Sequence, residues 1–422
     1  MTRVSPPDQR VEPARGGVFR LQGFRMLLGS VVVSELGTQV TLVAMPLAAV
    51  VTLHASPFQL GLLVAAERAG FLLIGLPAGV WVDRMRRRSV MVTADALRGL
   101  LLLTVPIAAW LGVLAIWQLY AVAGALGMVT VFFDVSAQSY LPFLVGQERL
   151  VDGNSRLETV RVGGQLAGPS LGGWLVQLVT APVAILADAV SYLGSAVFLA
   201  GIKGREPRPD PAARRGLWRE MREGAAFVVR QPILRAIAAC TATANLFGAM
   251  SAAVEIAFLV RVVGLRAGQV GMLMTAAPLG GLAGGLAVSR LSRRFGSARV
   301  MWIGIATWVF VVLMPLAGPG WRVWLFAAGM FAFAFGAILY NVGQISFRQA
   351  VTPAPLLGRM NATIRFVVWG TLPLGGLIGG VLGQTLGLRP ALWISVLGGL
   401  LCCVPLLLSP VRTARDLAPP PG

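Results

Sequence analysis

Apolar stretches alternate with short polar segments along the whole chain, near 26-52, 58-81, 89-112, 115-137, 155-177, 182-202, 233-260, 269-288, 298-317, 322-342, 362-386 and 389-409. Each is close to the ~20 residues that a helix needs to cross a bilayer's hydrocarbon. Runs such as Leu100 to Leu114 and Leu325 to Leu339 have no polar face to offer water, so a lipid solvent suits them better than a shared protein core. The pattern predicts an all-α integral membrane protein with twelve transmembrane helices.

The longest polar stretch, Lys203 to Pro232, divides the spans six and six. This gives an N-terminal six-helix bundle over 1-202, a central loop over 203-232 and a C-terminal six-helix bundle over 233-422. Within the loop Leu217, Trp218, Met221, Ala225 and Val228 recur at helical spacing, with Arg214, Arg215, Arg219 and Arg222 between them. That describes an amphipathic helix in the headgroup plane. The halves also repeat. Asn154, Gly168, Gly172 and Gly173 recur at one offset as Asn361, Gly375, Gly379 and Gly380, and the arginine run at Arg84 to Arg88 has a counterpart at Arg290 to Arg294. Two matches in the same order argue for a duplicated, pseudo-symmetric unit, an architecture that holds substrate between repeats near the midplane.

Composition agrees: of 422 residues 56% are hydrophobic and 13% charged, half the charge of an ordinary soluble chain, which is about 25%. The 36 basic residues against 17 acidic ones are, apart from Lys203, all arginine. They are spread over alternate short loops with no compact basic domain, which excludes nucleic acid as the partner and points to anionic lipid headgroups. The loops near His54, Leu111 to Ala115 and Thr180 to Pro182 carry no Lys or Arg, so both termini are expected on the cytoplasmic side of a cell membrane. Arg261, Arg266, Arg322 and Arg389 are exceptions at predicted outer ends. Residues 1 to 20 contain no apolar run, so no cleaved signal peptide is expected.

Enzyme chemistry finds no support. His54 has no Cys, His or carboxylate at ligand spacing, so no metal or other cofactor is expected. Lys203 is followed by Gly204 and not by Ser or Thr, which excludes a phosphate-binding P-loop. Cys240, Cys402 and Cys403 lie inside apolar runs and read as small core residues.

Two motifs are specific. Gly79-Val80-Trp81-Val82-Asp83-Arg84-Met85-Arg86-Arg87-Arg88 follows the second span. It resembles the loop signature of the major facilitator superfamily, with Arg86 in place of the usual glycine. The resemblance implies a conformational switch in which Gly79 admits a neighbouring helix, Asp83 caps a helix, and Arg84, Arg87 and Arg88 pair with a carboxylate such as Asp134, placed at the inner end of the fourth span. Gly164-Gln165-Leu166-Ala167-Gly168-Pro169-Ser170-Leu171-Gly172-Gly173 resembles that superfamily's fifth-helix antiporter motif. Gly164, Gly168 and Gly172 form a flat stripe, Pro169 bends the span, and Gly173 extends the motif. Gly280, Gly281, Gly284 and Gly285 are the expected partners across the two halves.

The whole chain is most similar to the superfamily's enterobactin-exporter and macrolide-efflux branch. It departs from many relatives at Thr38, where an aspartate is usual, and it lacks the fourth-span arginine of classical drug antiporters. Coupling is therefore sought among ionisable groups at membrane depth, where a charge costs at least ~2.5 to 3.5 kcal/mol and is kept for a partner or a task. Glu35, Glu67 with Arg68, Glu255 and Asp188 qualify. Glu67 and Arg68 read either as a switching pair or as a static one. The expected activity is proton-coupled efflux of a hydrophobic or amphipathic small molecule by alternating access, acting as a monomer. A dedicated exporter of one natural product or siderophore, a symporter, and a non-transporting sensor are the alternatives.

Overall fold

The computed structural model describes residues 18–82, 84–203, 217–353 and 356–412. Among them every regular element is helical. The first half runs α1 (Gln22–Leu47), α2 (Pro57–Val82), α3 (Arg87–Trp110), α4 (Ile116–Val145), α5 (Leu150–Leu178) and α6 (Ala181–Ala200). After α7 (Leu217–Arg230), the second half runs α8 (Pro232–Ala257), α9 (Ala267–Met274), α10 (Ala276–Phe295), α11 (Ser297–Thr307), α12 (Val323–Val351), α13 (Leu357–Thr385), α14 (Leu388–Leu400) and α15 (Cys403–Leu407).

Ten helical stretches among the described residues are long and apolar enough to span a membrane, and Ala298–Leu313 is a shorter apolar one. The remaining span, α5, is long enough at 29 residues, but its glycines and glutamines dilute its hydropathy. Two spans are broken where a proline removes the amide that would continue the helix. Pro278 lies three residues past the α9/α10 joint at Thr275, and Pro405 lies beyond the α14/α15 joint at Leu401 and Cys402. The structure is a twelve-span membrane bundle in two pseudo-symmetric halves.

The repeat is visible in local detail. α1 and α8 both end in a π-helical turn, Ala48–Thr52 and Phe258–Val262. Each turn is followed by a left-handed residue, His54 with φ 50° and Gly264 with φ 81°. Each next helix begins with a glutamine side chain accepting a backbone N–H, Gln59 from Ser56 at 2.7 Å and Gln269 from Arg266 at 2.9 Å. The unusual histidine thus occupies the position that its repeat gives to glycine.

Two sequence expectations need correction. α4 continues to Val145, so Asp134 stands eleven residues, about 16 Å, short of its end and not at the inner end of the span. Gly280 and Gly284 pack against α12, where a Cβ would meet the Phe331 oxygen at 2.1 Å and the Phe335 oxygen at 2.7 Å. They do not cross to the first half. The two small-residue stripes were paired because both are flat, but a flat stripe takes whichever helix the topology supplies.

Candidate functional site

Between the halves lies a cavity of about 390 Å³, walled by α1, α2, α4, α6, α8 and α13. The end away from the arginine runs is closed by glycines. A Cβ on Gly61 of α2 would lie 2.6 Å from Gly380 Cα of α13, and one on Gly173 of α5 would lie 2.7 Å from Gly271 Cα of α9. These crossings are repeat-related, and backbone meets backbone in both. Ser170 and Thr275 hydroxyls share a hydrogen bond of 2.7 Å across the second crossing, and Gly268 N–H donates to Gln177 at 3.0 Å. Arg261 crosses between the halves, donating to the carbonyls of Ala55 at 2.6 Å and Val50 at 3.4 Å. Arg389 caps the Ala317 carbonyl at 2.9 Å. At least these two outer arginines, exceptions to the charge pattern, are spent on loop carbonyls. At the arginine-rich end, Glu158 and Arg161 of α5 are exposed and only loosely paired at 3.5 Å. The cavity opens to that side.

Its wall is largely apolar, with carboxylates at Glu67, Asp134 and Asp188. Glu67 and Arg68 approach to 3.6 Å with side chains 35% and 50% exposed. That geometry is too loose for a locked pair; exposed pairs contribute only about 0–1 kcal/mol. Asp134 is exposed into the cavity, and the guanidinium charges that bear on it are those of Arg98, Arg161 and Arg365. Asp188 is buried; Ser191 donates to its Oδ1 at 3.0 Å, and Oδ2 has no hydrogen bond. The Thr41 hydroxyl, which also lines the cavity, is buried and faces the Asp188 carboxylate without a hydrogen bond of full geometry. A buried donor and a buried acceptor that face each other short of a full hydrogen bond mark a place where a proton, water or ligand changes the local balance.

Behind this wall stands a buried pair of opposite charges. Asp95 and Arg98 of α3 are buried and joined at 2.9 Å, and Ser195 donates to Asp95 at 2.5 Å. The Arg98 guanidinium sits 4.5 Å from the Phe133 ring centre and 5.1 Å from that of Tyr192. Tyr192 in turn shares a hydrogen bond of 2.8 Å with Thr38. Because Tyr192 and Thr38 line the cavity, the ion pair braces its polar wall from outside. An aspartate and an arginine three residues apart inside a predicted span were the available signal, since that spacing puts them on one face.

The other candidates separate. Glu35 lies at the α1–α5 seam, accepts a hydrogen bond from Gln39 at 2.9 Å, and packs its methylenes on Gly164. Gly168 and Gly172 continue that seam against Gln39 and Val40, while Gly173 with the Pro169 carbonyl meets α9. Glu255 faces a separate cavity inside the second half. In the loop motif Asp83 lies outside the described residues and Gly79 falls in the last turn of α2. Arg84 is exposed, and Arg87 opens α3. Arg88 donates to the Leu199 carbonyl at 3.1 Å and to that of Ala200, holding the negative end of α6. Asp134 lines the central cavity with Glu67 and Asp188.

A family model described as Major Facilitator Superfamily matches residues 27–256 and 236–422. The chain belongs to the major facilitator superfamily. The Multidrug efflux pump Tap of Mycolicibacterium fortuitum is 25% identical over 413 residues, covering 94% of this chain and 98% of that protein. The Enterobactin exporter EntS of Citrobacter koseri is 26% identical over 330 residues, covering 76% and 75%. Among solved structures, a bacterial homologue of the iron transporter ferroportin superposes with TM-score 0.72 at 18% identity in its inward-facing state, covering 93% of this chain and 99% of that one. The outward-facing state gives 0.58, covering 91% and 98%. This facilitator is therefore a transporter and not an enzyme.

Proposed function

We propose that this chain exports a hydrophobic or amphipathic small molecule from the cytoplasm in exchange for protons, by rocking two halves around the central cavity. The observation that carries the reading is the set of three carboxylates, Glu67, Asp134 and Asp188, that with Arg68 line a largely apolar cavity between the halves. With the arginine-rich end cytoplasmic, the described state is open to the cell interior and both termini are inside. The units are 1-202, 203-232 and 233-422, working as a monomer, with α7 against anionic lipid.

A carboxylate that faces water when the cavity is open, and meets substrate or a guanidinium when it is occupied or closed, changes its proton occupancy between states. Glu67 beside Arg68 and Asp134 within reach of the Arg365 field have that freedom. Asp188 is held more tightly, and its free oxygen is the seat for one proton. Glu35 and Glu255 lie off this route. Aromatic rings at Phe71 and Trp369, 4.3 Å apart between the halves, supply apolar recognition. The names of the multidrug and enterobactin relatives both support export, the second of them a dedicated cargo.

Everted vesicles with a proton-quenched dye test this. An exporter releases quench when a responding compound is added from a substrate panel, and Glu67→Gln and Asp188→Asn weaken the response at least tenfold. A symporter needs substrate on the opposite face. Silence across the panel, or full responses in both variants, contradicts the reading.

A further inference from the structure

We propose that the second half contains its own ligand site, which takes a small organic cation with Glu255 as its counter-ion; this rests on the reading of the chain as a small-molecule transporter. A cavity of about 280 Å³ lies inside this half, bounded by α8, α10, the turn that continues α11, α12 and α14. Glu255 is its one ionisable lining group. Among the described residues Glu255 has neither a hydrogen bond nor an ion pair, although it lies within a membrane span. An uncompensated carboxylate in such surroundings is costly to keep ionised, so in its charged form it needs a counter-ion from outside the chain.

The rest of the lining says which partner. Phe247, Trp308 and Phe333 present rings, and Met314 and Met330 present polarizable thioethers. Polar help is scarce: Ser395 is committed to the Ala391 carbonyl at 2.8 Å, which leaves Ser251 one turn from Glu255. An inorganic cation needs about six oxygen ligands, and this wall does not offer them. An ammonium wrapped in carbon is satisfied by one carboxylate and several ring faces. The site stands apart from the central cavity across a single wall, α8, whose Ala252 borders both. The volume admits a cation the size of benzyltrimethylammonium. Gly248, on the same stretch of α8, has nothing within 4 Å of where a Cβ would be, so a leucine there fills the space without striking a neighbour at its first carbon.

Equilibrium binding of radiolabelled benzyltrimethylammonium to the detergent-purified full chain, without any proton gradient, tests the site. Saturable binding is expected, weakened at least tenfold in Glu255→Gln and in Gly248→Leu, unchanged in Glu35→Gln, whose carboxylate lines neither cavity, and not displaced by neopentylbenzene, the uncharged carbon isostere. Gly248→Leu keeps the test meaningful if Glu255→Gln folds poorly. No binding to the wild type, binding that survives both variants, or loss only in Glu35→Gln overturns the proposal. Because no gradient is used, failure here leaves the vesicle result on proton exchange standing, and the reverse also holds.

Discussion

Adding one methyl group at Gly173 should open the closed end. A Cβ there lies 2.6 Å from the Ala267 carbonyl oxygen, 2.7 Å from Gly271 Cα and 2.9 Å from Gly271 N, all backbone, where ordinary contact begins at 3.4 Å. No side chain can turn aside, so α9 must withdraw by about 1 Å, and overpacking of this kind costs about 1–3 kcal/mol. The same displacement stretches the Ser170–Thr275 bond from 2.7 Å and the Gly268–Gln177 bond from 3.0 Å toward lengths at which they no longer count. Losing them adds about 1 kcal/mol each. The sum, about 3–5 kcal/mol, falls on the state with this end closed, which shifts the ratio of the two states by roughly 150- to 5,000-fold. Gly163→Ala on the same helix meets nothing within 4 Å and serves as the control. Spin labels at Val179 and Leu386, both exposed at the closed end, in a background with the three cysteines replaced, would report the distance. A longer, dominant population in Gly173→Ala is expected; a distribution matching Gly163→Ala would refute the argument.

Other consequences follow from the same geometry. Arg98→Ala leaves Asp95 as a buried, unpaired charge and should lower stability by about 3–5 kcal/mol, read as early thermal unfolding in detergent, whereas joint replacement by Met and Leu should recover most of the loss. His54→Gly relieves a left-handed residue and should raise stability by about 1 kcal/mol, while His54→Val should lower it; equal melting temperatures for all three would contradict the strain. Arg261→Gln removes two donations across the halves and should lengthen the closed-end distance in the direction of Gly173→Ala, by a smaller population change. Unaltered distances in that variant would assign Arg261 to loop structure alone.

Much of the architecture was legible because a membrane imposes few solutions. Apolar length marks spans, and a repeated Asn and Gly pattern marks duplication; Gly173 and Gly380 do meet glycines in repeat-related crossings. The site was harder. Asp188 and Glu67 were readable as charges at depth, but the Asp95–Arg98 pair was hidden because opposite charges three residues apart cancel locally and raise no alarm as single charges. Asp134 was assigned to the loop motif because α4 was ended too early, at a polar stretch, Ser136 to Ser139, that remains helical. The partners of Gly280 and Gly284 depend on which helix topology brings alongside, and periodicity carries no record of that. Arg261 and Arg389 looked like breaks in a charge rule until their carbonyl acceptors were known.

The central claim is that acids in one cavity exchange protons against cargo. Proteoliposomes loaded with the strongest responder from the vesicle panel test it most directly, by comparing gradient-driven accumulation with equilibrium exchange of labelled cargo in wild type and Asp188→Asn. The account predicts that the variant still exchanges cargo but no longer accumulates it when a proton gradient is applied. Undiminished accumulation would contradict it.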